Sequence, residues 1–218
     1  MPLHGANQFP SEPAALRASV LAWCAAMRGL GRALLRGIAL ALGMPEHWFD
    51  HNIAAEPTHL FRIFHYPPPP PADATGWGVG THTDYGLVTI LAQDSCGGLQ
   101  VCLPGDAWID VPAETGVFVI NLGDMLEKLT EGRYRSTPHR VKNASGRNRL
   151  SFPFFVDPSW TAEVVPLPLQ GAPPADDAGR RWDEASVRAW HGVYGDYLTQ
   201  KVSRVFPKLF TCSVGSNS

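Results

Sequence analysis

The stretch "GVGTHTDYGLVTILAQD", residues 78–94, sets His82 and Asp84 two positions apart just ahead of an apolar run with strand character. Residues two apart in a strand point to the same face, so the pair can aim an imidazole nitrogen and a carboxylate oxygen at one point. Alone the pattern is not specific. Eight histidines and twelve aspartates in 218 residues give about 0.4 such triplets by chance. An Asp-Tyr-Gly turn beside a solvent-facing histidine accounts for the same letters.

The run "LVTILAQ" is the first of several short β-rich segments between 87 and 156, followed by "LQVCL", "AWIDV", "GVFVINL", "HRVK" and "RLSFPFFV". Gly, Pro, Asp and Asn turns separate them, which predicts an antiparallel sandwich or barrel of the jelly-roll kind. Before it, Leu16, Val20, Trp23, Met27, Leu30, Leu34 and Ile38 recur at helical spacing, predicting an amphipathic scaffold helix over 13–43. Gly29, Gly31 and Gly37 lower its intrinsic propensity, so packing must hold it. The prolines at 67–71 read as an extended loop. Residues 166–179 read as a surface loop, after which Asp183 can cap a helix over 183–206 that carries Val187, Trp190, Tyr194, Leu198 and Val202 and stops at Pro207. The expected fold class is mainly β with flanking helices around a double-stranded β-helix (jelly-roll) core at about 60–165, in one domain spanning 1–218.

Net charge is −2, with Lys and Arg scattered, so neither nucleic acid nor an anionic membrane is an expected partner. A small neutral or anionic ligand fits better. The four cysteines form no CxxC pair, and the first residues lack a basic and apolar leader, which together point to a reducing, cytoplasmic setting.

Two further segments change the weight of the opening pair. "RSTPHRV" places His139 at the head of another short strand, and two histidines with one carboxylate on a β framework form the facial triad of non-haem Fe(II), with positions left open for substrate and O2. Ten residues on, Arg149 and Ser151 in "RLSFPFF" share a strand face, a planar fork and a hydroxyl suited to a carboxylate, although a structural Arg–Asp pair explains Arg149 taken alone. Asp124 in "NLGD" and Glu131 in "TEG" read as turn residues.

Together "HTDYGLVTILAQD…GGLQV", "WIDVP", "INLGDMLEKLTEGRYRSTPHRV" and "RLSFPFFVDP" resemble the Fe(II)- and 2-oxoglutarate-dependent dioxygenases of the isopenicillin N synthase-like group, from "HGANQFP" to "YGDYLTQKVSRVFP". The resemblance implies that His82, Asp84 and His139 bind iron. It implies that Arg149 and Ser151 hold the distal carboxylate of 2-oxoglutarate and that Tyr66 in "HYP" assists. The implied activity is oxidation of a small organic molecule with O2, releasing succinate and CO2. Within the same resemblance stand an isopenicillin N synthase-type oxidase that does not use 2-oxoglutarate and a truncated, non-catalytic metal-binding barrel. A zinc hydrolase would leave Arg149 and Ser151 unexplained. Members of the group carry a further segment ahead of the "HGxNQ" point, so this chain reads as a short form whose uncovered apolar surface invites self-association.

Overall fold

The computed structural model describes residues 3–68, 77–176 and 185–208. Of the proline run at 67–71 only Pro67 and Pro68 fall within them, and the expected cap at Asp183 lies outside. The elements in order are α1 (Leu16–Ala41), α2 (Trp48–His51), β1 (Pro57–Phe61), β2 (Phe64–Tyr66), β3 (Val79–His82), β4 (Val88–Gln93), β5 (Leu99–Leu103), β6 (Ala107–Asp110), β7 (Val119–Leu122), α3 (Asp124–Leu129), β8 (His139–Val141), β9 (Arg149–Ser159) and α4 (Tyr194–Val205).

The strands form two antiparallel sheets. One runs β1-β9-β4-β7, with β2 also paired to β9, and the other runs β3-β8-β5-β6. The first is the larger, and β9 is its spine because its 11 residues pair with β1, β2 and β4. Side chains alternate across it as the pleat demands. Val88, Ile90, Phe154 and Val156 turn outward into a core shared with Met27, Leu35 and Ala39 of α1. Their neighbours turn inward, where Leu91 and Val119 pack with Tyr66, Leu99 and Val141 between the sheets. This is the jelly-roll architecture, with helices on its outer face.

Helix α1 has no side-chain cap and no acidic residue in its first turn, so burial rather than end chemistry holds it. Gly31 explains how it lies so near the sheet: a Cβ there would stand 2.7 Å from Cγ2 of Val156. The helix expected over 183–206 is broken. Val187–Ala189 form a single 3-10 turn, Trp190 is extended with ψ 142°, and Gly192 takes φ 137° before α4 begins at Tyr194. The cause lies in long-range pairing. Val193 bridges Glu163, and the Tyr194 N–H donates to the Ala162 carbonyl, so this backbone is committed to the sheet end instead of to a helical turn.

Candidate metal and carboxylate site

His82 and His139 are direct cross-strand partners in the smaller sheet, and Asp84 follows two residues past the end of β3. Asp84 Oδ1 lies 4.0 Å from His82 Nε2 and 3.7 Å from His139 Nε2, and one ligand atom from each residue falls within 4.8 Å of the others. The histidine rings stand 4.2 Å apart, centre to centre. A first-row ion sits about 2.1 Å from each such ligand and can bridge separations of up to about 4 Å. The fit therefore needs only a small inward adjustment.

Backbone hydrogen bonds fix which atoms face the centre of the cluster. His82 Nδ1 is 2.8 Å from the Gly80 carbonyl, and His139 Nδ1 is 3.0 Å from the Thr137 carbonyl. Each Nδ1 is thereby the protonated nitrogen and each Nε2 carries the free lone pair, the arrangement that orients metal-bound imidazoles. Burial, and then the neighbouring His139, hold the pKa of His82 below its ordinary value, which favours the neutral, ligating form. Asp84 is prepared in a matching way. Its Oδ2 accepts from Thr89 Oγ1 at 2.6 Å and from Asn121 Nδ2 at 2.7 Å, while Oδ1 turns to the histidines.

Thr89 on β4 and Asn121 on β7 were not anticipated from sequence. The available signal was a polar residue inside an otherwise apolar strand, "VTILAQ" and "VINL", which marks an inward-facing position with a polar partner. The turn reading of Asp124 is corrected. It opens α3, is 1% exposed, and accepts from Tyr197 Oη at 2.7 Å. Two buried carboxylates at 84 and 124 therefore share one backbone hydrogen bond, from the Asp124 N–H to the Asp84 carbonyl at 2.8 Å. Glu131 does sit in a turn, with φ 49°.

Arg149 begins β9, where Tyr66 faces it in register, and it is fully buried. Its Nε donates to the Gly97 carbonyl at 2.5 Å and its Nη2 to Gln93 Oε1 at 3.2 Å, while the guanidinium carbon lies 5.0 Å from the centre of the Tyr66 ring. Nη1 is buried with no hydrogen-bond partner among the described residues. Burial lowers the pKa of Arg149, and Tyr66 and Asp94 act to raise it, yet guanidinium stays charged. A buried charged donor left unsatisfied is costly, and an anionic acceptor at Nη1 would relieve that cost. Ser151, two residues on and 3% exposed, shares that strand face. The structure thus brings His82, Asp84 and His139 together at one point and Tyr66, Arg149 and Ser151 together at a second.

The sequence model of the 2OG-Fe(II) oxygenase superfamily matches residues 57–158, the span from β1 into β9. A probable iron/ascorbate oxidoreductase of Dictyostelium discoideum is 39% identical over 95% of this chain and 63% of its own length. A homoarginine-6-hydroxylase of Glycine max is 34% identical over 95% of this chain and 62% of its own. Among solved structures, a full-length Neurospora crassa protein in complex with alpha-KG superposes with a TM-score of 0.77 at 26% identity, covering 94% of this chain and 63% of that one. The chain spans less than two thirds of the length of these three. With the barrel and the two clusters in place, the strand core at residues 57–158 matches the 2OG-Fe(II) oxygenase superfamily, whose cofactors are Fe(II) and 2-oxoglutarate, and the chain as a whole is similar to members of it.

Proposed function

We propose that this chain is a single-domain Fe(II)- and 2-oxoglutarate-dependent dioxygenase of the isopenicillin N synthase-like group that oxidises a small organic molecule with O2. The observation that carries this reading is the pairing of two sites on one framework: a two-histidine, one-carboxylate cluster and a buried guanidinium with a free donor. In this reading His82, Asp84 and His139 hold the iron. Arg149 and Ser151 take the distal carboxylate of 2-oxoglutarate, and Tyr66 stacks beside Arg149. Bound iron and 2-oxoglutarate would supply the oxidative chemistry, with succinate and CO2 as products. The protein's own work is to present Nε2, Nε2 and Oδ1 to one face and to keep the Arg149 donor away from water. Cys24, Cys96 and Cys102, free thiols among the described residues, fit a reducing cytoplasm. Exposed Phe118 and Ile120, at the β7 edge near Trp23, support self-association, which size-exclusion chromatography reads.

A second reading is an oxidase that draws its electrons from ascorbate. The name of one relative, the iron/ascorbate oxidoreductase above, favours ascorbate, and another is named only as an oxidase: a 1-aminocyclopropane-1-carboxylate oxidase of Dictyostelium mucoroides, 37% identical over 82% of this chain and 56% of its own length. The Arg149 donor favours the first. Anaerobic titration of the metal-to-2-oxoglutarate charge-transfer band on Fe(II)-loaded Arg149→Lys tests it, because Lys keeps the charge and loses the fork. The expected result is a 2-oxoglutarate Kd raised at least about tenfold, with the Fe(II) Kd changed less than about twofold. Equal 2-oxoglutarate affinity in variant and parent removes Arg149 from this role, and turnover without stoichiometric succinate favours the ascorbate reading.

A further inference from the structure

Helix α4 reaches the neighbourhood of Asp84 through two buried hydrogen bonds that the proposed chemistry does not use. Tyr194 Oη donates to Asp157 Oδ2 at 2.6 Å, and Tyr197 Oη donates to Asp124 Oδ2 at 2.7 Å. All four residues are buried, none more than 6% exposed. The two tyrosines lie three residues apart in the first turn of α4, so one face of that helix presents both hydroxyls.

Their acceptors touch the same short segment, Asp84 to Leu87, from two sides. On the α3 side, the Asp124 N–H donates to the Asp84 carbonyl at 2.8 Å and the Met125 N–H to the Gly86 carbonyl at 3.0 Å. On the β9 side, the Leu87 N–H donates to the Val156 carbonyl at 3.0 Å, and the Asp157 carboxylate packs so closely on Gly86 that a Cβ there would fall 1.7 Å from Oδ1. Residue 86 must therefore be glycine while Asp157 keeps this position. The segment that delivers the carboxylate of the triad is held between Asp124 and Asp157, and each of these is tied to α4 by a tyrosine.

We propose that Tyr194 and Tyr197 are positioning residues for the metal site, holding the Asp84–Leu87 segment through Asp157 and Asp124 so that Asp84 Oδ1 stays aimed at His82 and His139. The proposal rests on the metal-binding reading given above. A tether of this kind acts on the free energy of metal binding, because a loop that the ion itself must order binds that ion more weakly.

The test uses Co(II) as the probe, added to the whole chain, with Kd from calorimetry and coordination from the visible d–d band. The parent should bind Co(II) at the triad, and an Asp84→Ala control should not. A parent that fails to bind overturns the metal reading and this proposal with it. In Tyr194→Phe/Tyr197→Phe the Co(II) Kd should rise about tenfold, the lower end of what loss of outer-shell partners costs, with an altered d–d band. Amide hydrogens of residues 84–88 should exchange faster in the metal-free variant. Leu35→Val in α1 serves as a control for general destabilisation, compared at a temperature equally far below its own thermal midpoint, and should leave the Co(II) Kd within about twofold. Rescue provides a second arm: Asp124→Asn retains an acceptor for Tyr197 while giving up the ion pair with Lys201 and should bind Co(II) nearly as the parent does, whereas Asp124→Ala should weaken binding at least as much as Tyr197→Phe. If the double variant does not fold, the two single variants carry the same comparison. A Co(II) Kd within about twofold of the parent in the tyrosine variants, or an equal rise in the Leu35→Val control, overturns the positioning role while leaving the triad intact.

Discussion

Helix α1 uses 26 residues to bury Met27, Leu35 and Ala39 against the outer face of the larger sheet, whereas the 12 residues of α4 add the rings of Tyr194 and Tyr197 to the same core and also bond their hydroxyls to two buried carboxylates, one of them paired with Lys201 as well. Both helices pack on the same body. The first makes contacts that are non-directional and scale with area, while the second makes contacts that specify where particular atoms sit. A framework helix and an aligning helix should therefore fail differently when mutated: one in stability with the site intact, the other at the site for a smaller loss of stability.

The largest expected effect tests the framework half. Leu35→Ala removes a side chain that is 2% exposed and should cost about 2–5 kcal/mol in urea unfolding, the usual range for a buried leucine whose cavity cannot collapse. At a temperature where that variant is folded, its metal affinity should match the parent. A parallel loss of affinity would erase the distinction between the two helices.

Next in size is a pH effect on the aligning half. Burial, opposed by the Tyr194 hydrogen bond and reinforced by Asp84, raises the pKa of Asp157 to about 7 from an ordinary 3.8. A carboxyl raised on folding stabilises the folded state fully below its unfolded value, and that contribution is lost as pH rises through about 7. Metal-free protein should then lose about 2–3 kcal/mol of stability between about pH 5 and about pH 8 from this residue. Asp157→Asn, which keeps an acceptor for Tyr194, should flatten that slope. An unchanged slope in the variant would show that Asp157 is ionised throughout. A metal ion at Asp84 offsets the charge that helps raise Asp157, so loading should shrink the effect.

The smallest effects sharpen the comparison inside α1 itself. Gly31→Ala gains about 1 kcal/mol of helix propensity but drives a methyl against Val156, an overpacking cost of about 1–3 kcal/mol, so a net loss of about 1 kcal/mol is expected. Gly29→Ala and Gly37→Ala meet nothing within 4 Å among the described residues and should each stabilise by about 0.5–1 kcal/mol. Thermal unfolding of the three variants reads the sign. A stabilising Gly31→Ala would mean that α1 can draw back from β9 at little cost.

What could be read from sequence was what local chemistry dictates. The period of three and four placed α1, and the alternating short runs placed the strands of the core. The order HxD, H, RxS, with the tyrosine of "HYP", marked six residues that the fold brings into two clusters. What escaped depends on partners distant in the chain. Thr89 and Asn121 look like ordinary strand residues until folding sets both against Asp84. Asp124 carries the local signature of a turn, and only Tyr197, far along the sequence, makes it a buried acceptor. The start of α4 was missed for the same reason: the helical spacing of Val187, Trp190 and Tyr194 continues through Gly192, but the bridge from Val193 to Glu163 overrides it. Local propensity is a weak prior where a tertiary partner competes for the same backbone groups.

Strand β9 also bears on how the molecule comes into being. It pairs with β1, β2 and β4, all of them encoded well before it, and it carries Arg149, Ser151 and Asp157. Closing such long loops must precede the contacts that reward closure, which places this chain among slowly folding, high-contact-order topologies. During synthesis, His82 and Asp84 leave the ribosome long before the guanidinium, the glycine-packed carboxylate and the tyrosines that complete their surroundings. Until β9 docks, β1 and β4 are both unpaired edges, and a nascent chain in that state is open to the wrong partner strand. Prompt release of the final third of the chain, or a chaperone covering β4 in the interval, should therefore raise the yield of correctly assembled protein more than any gain in the stability of α1.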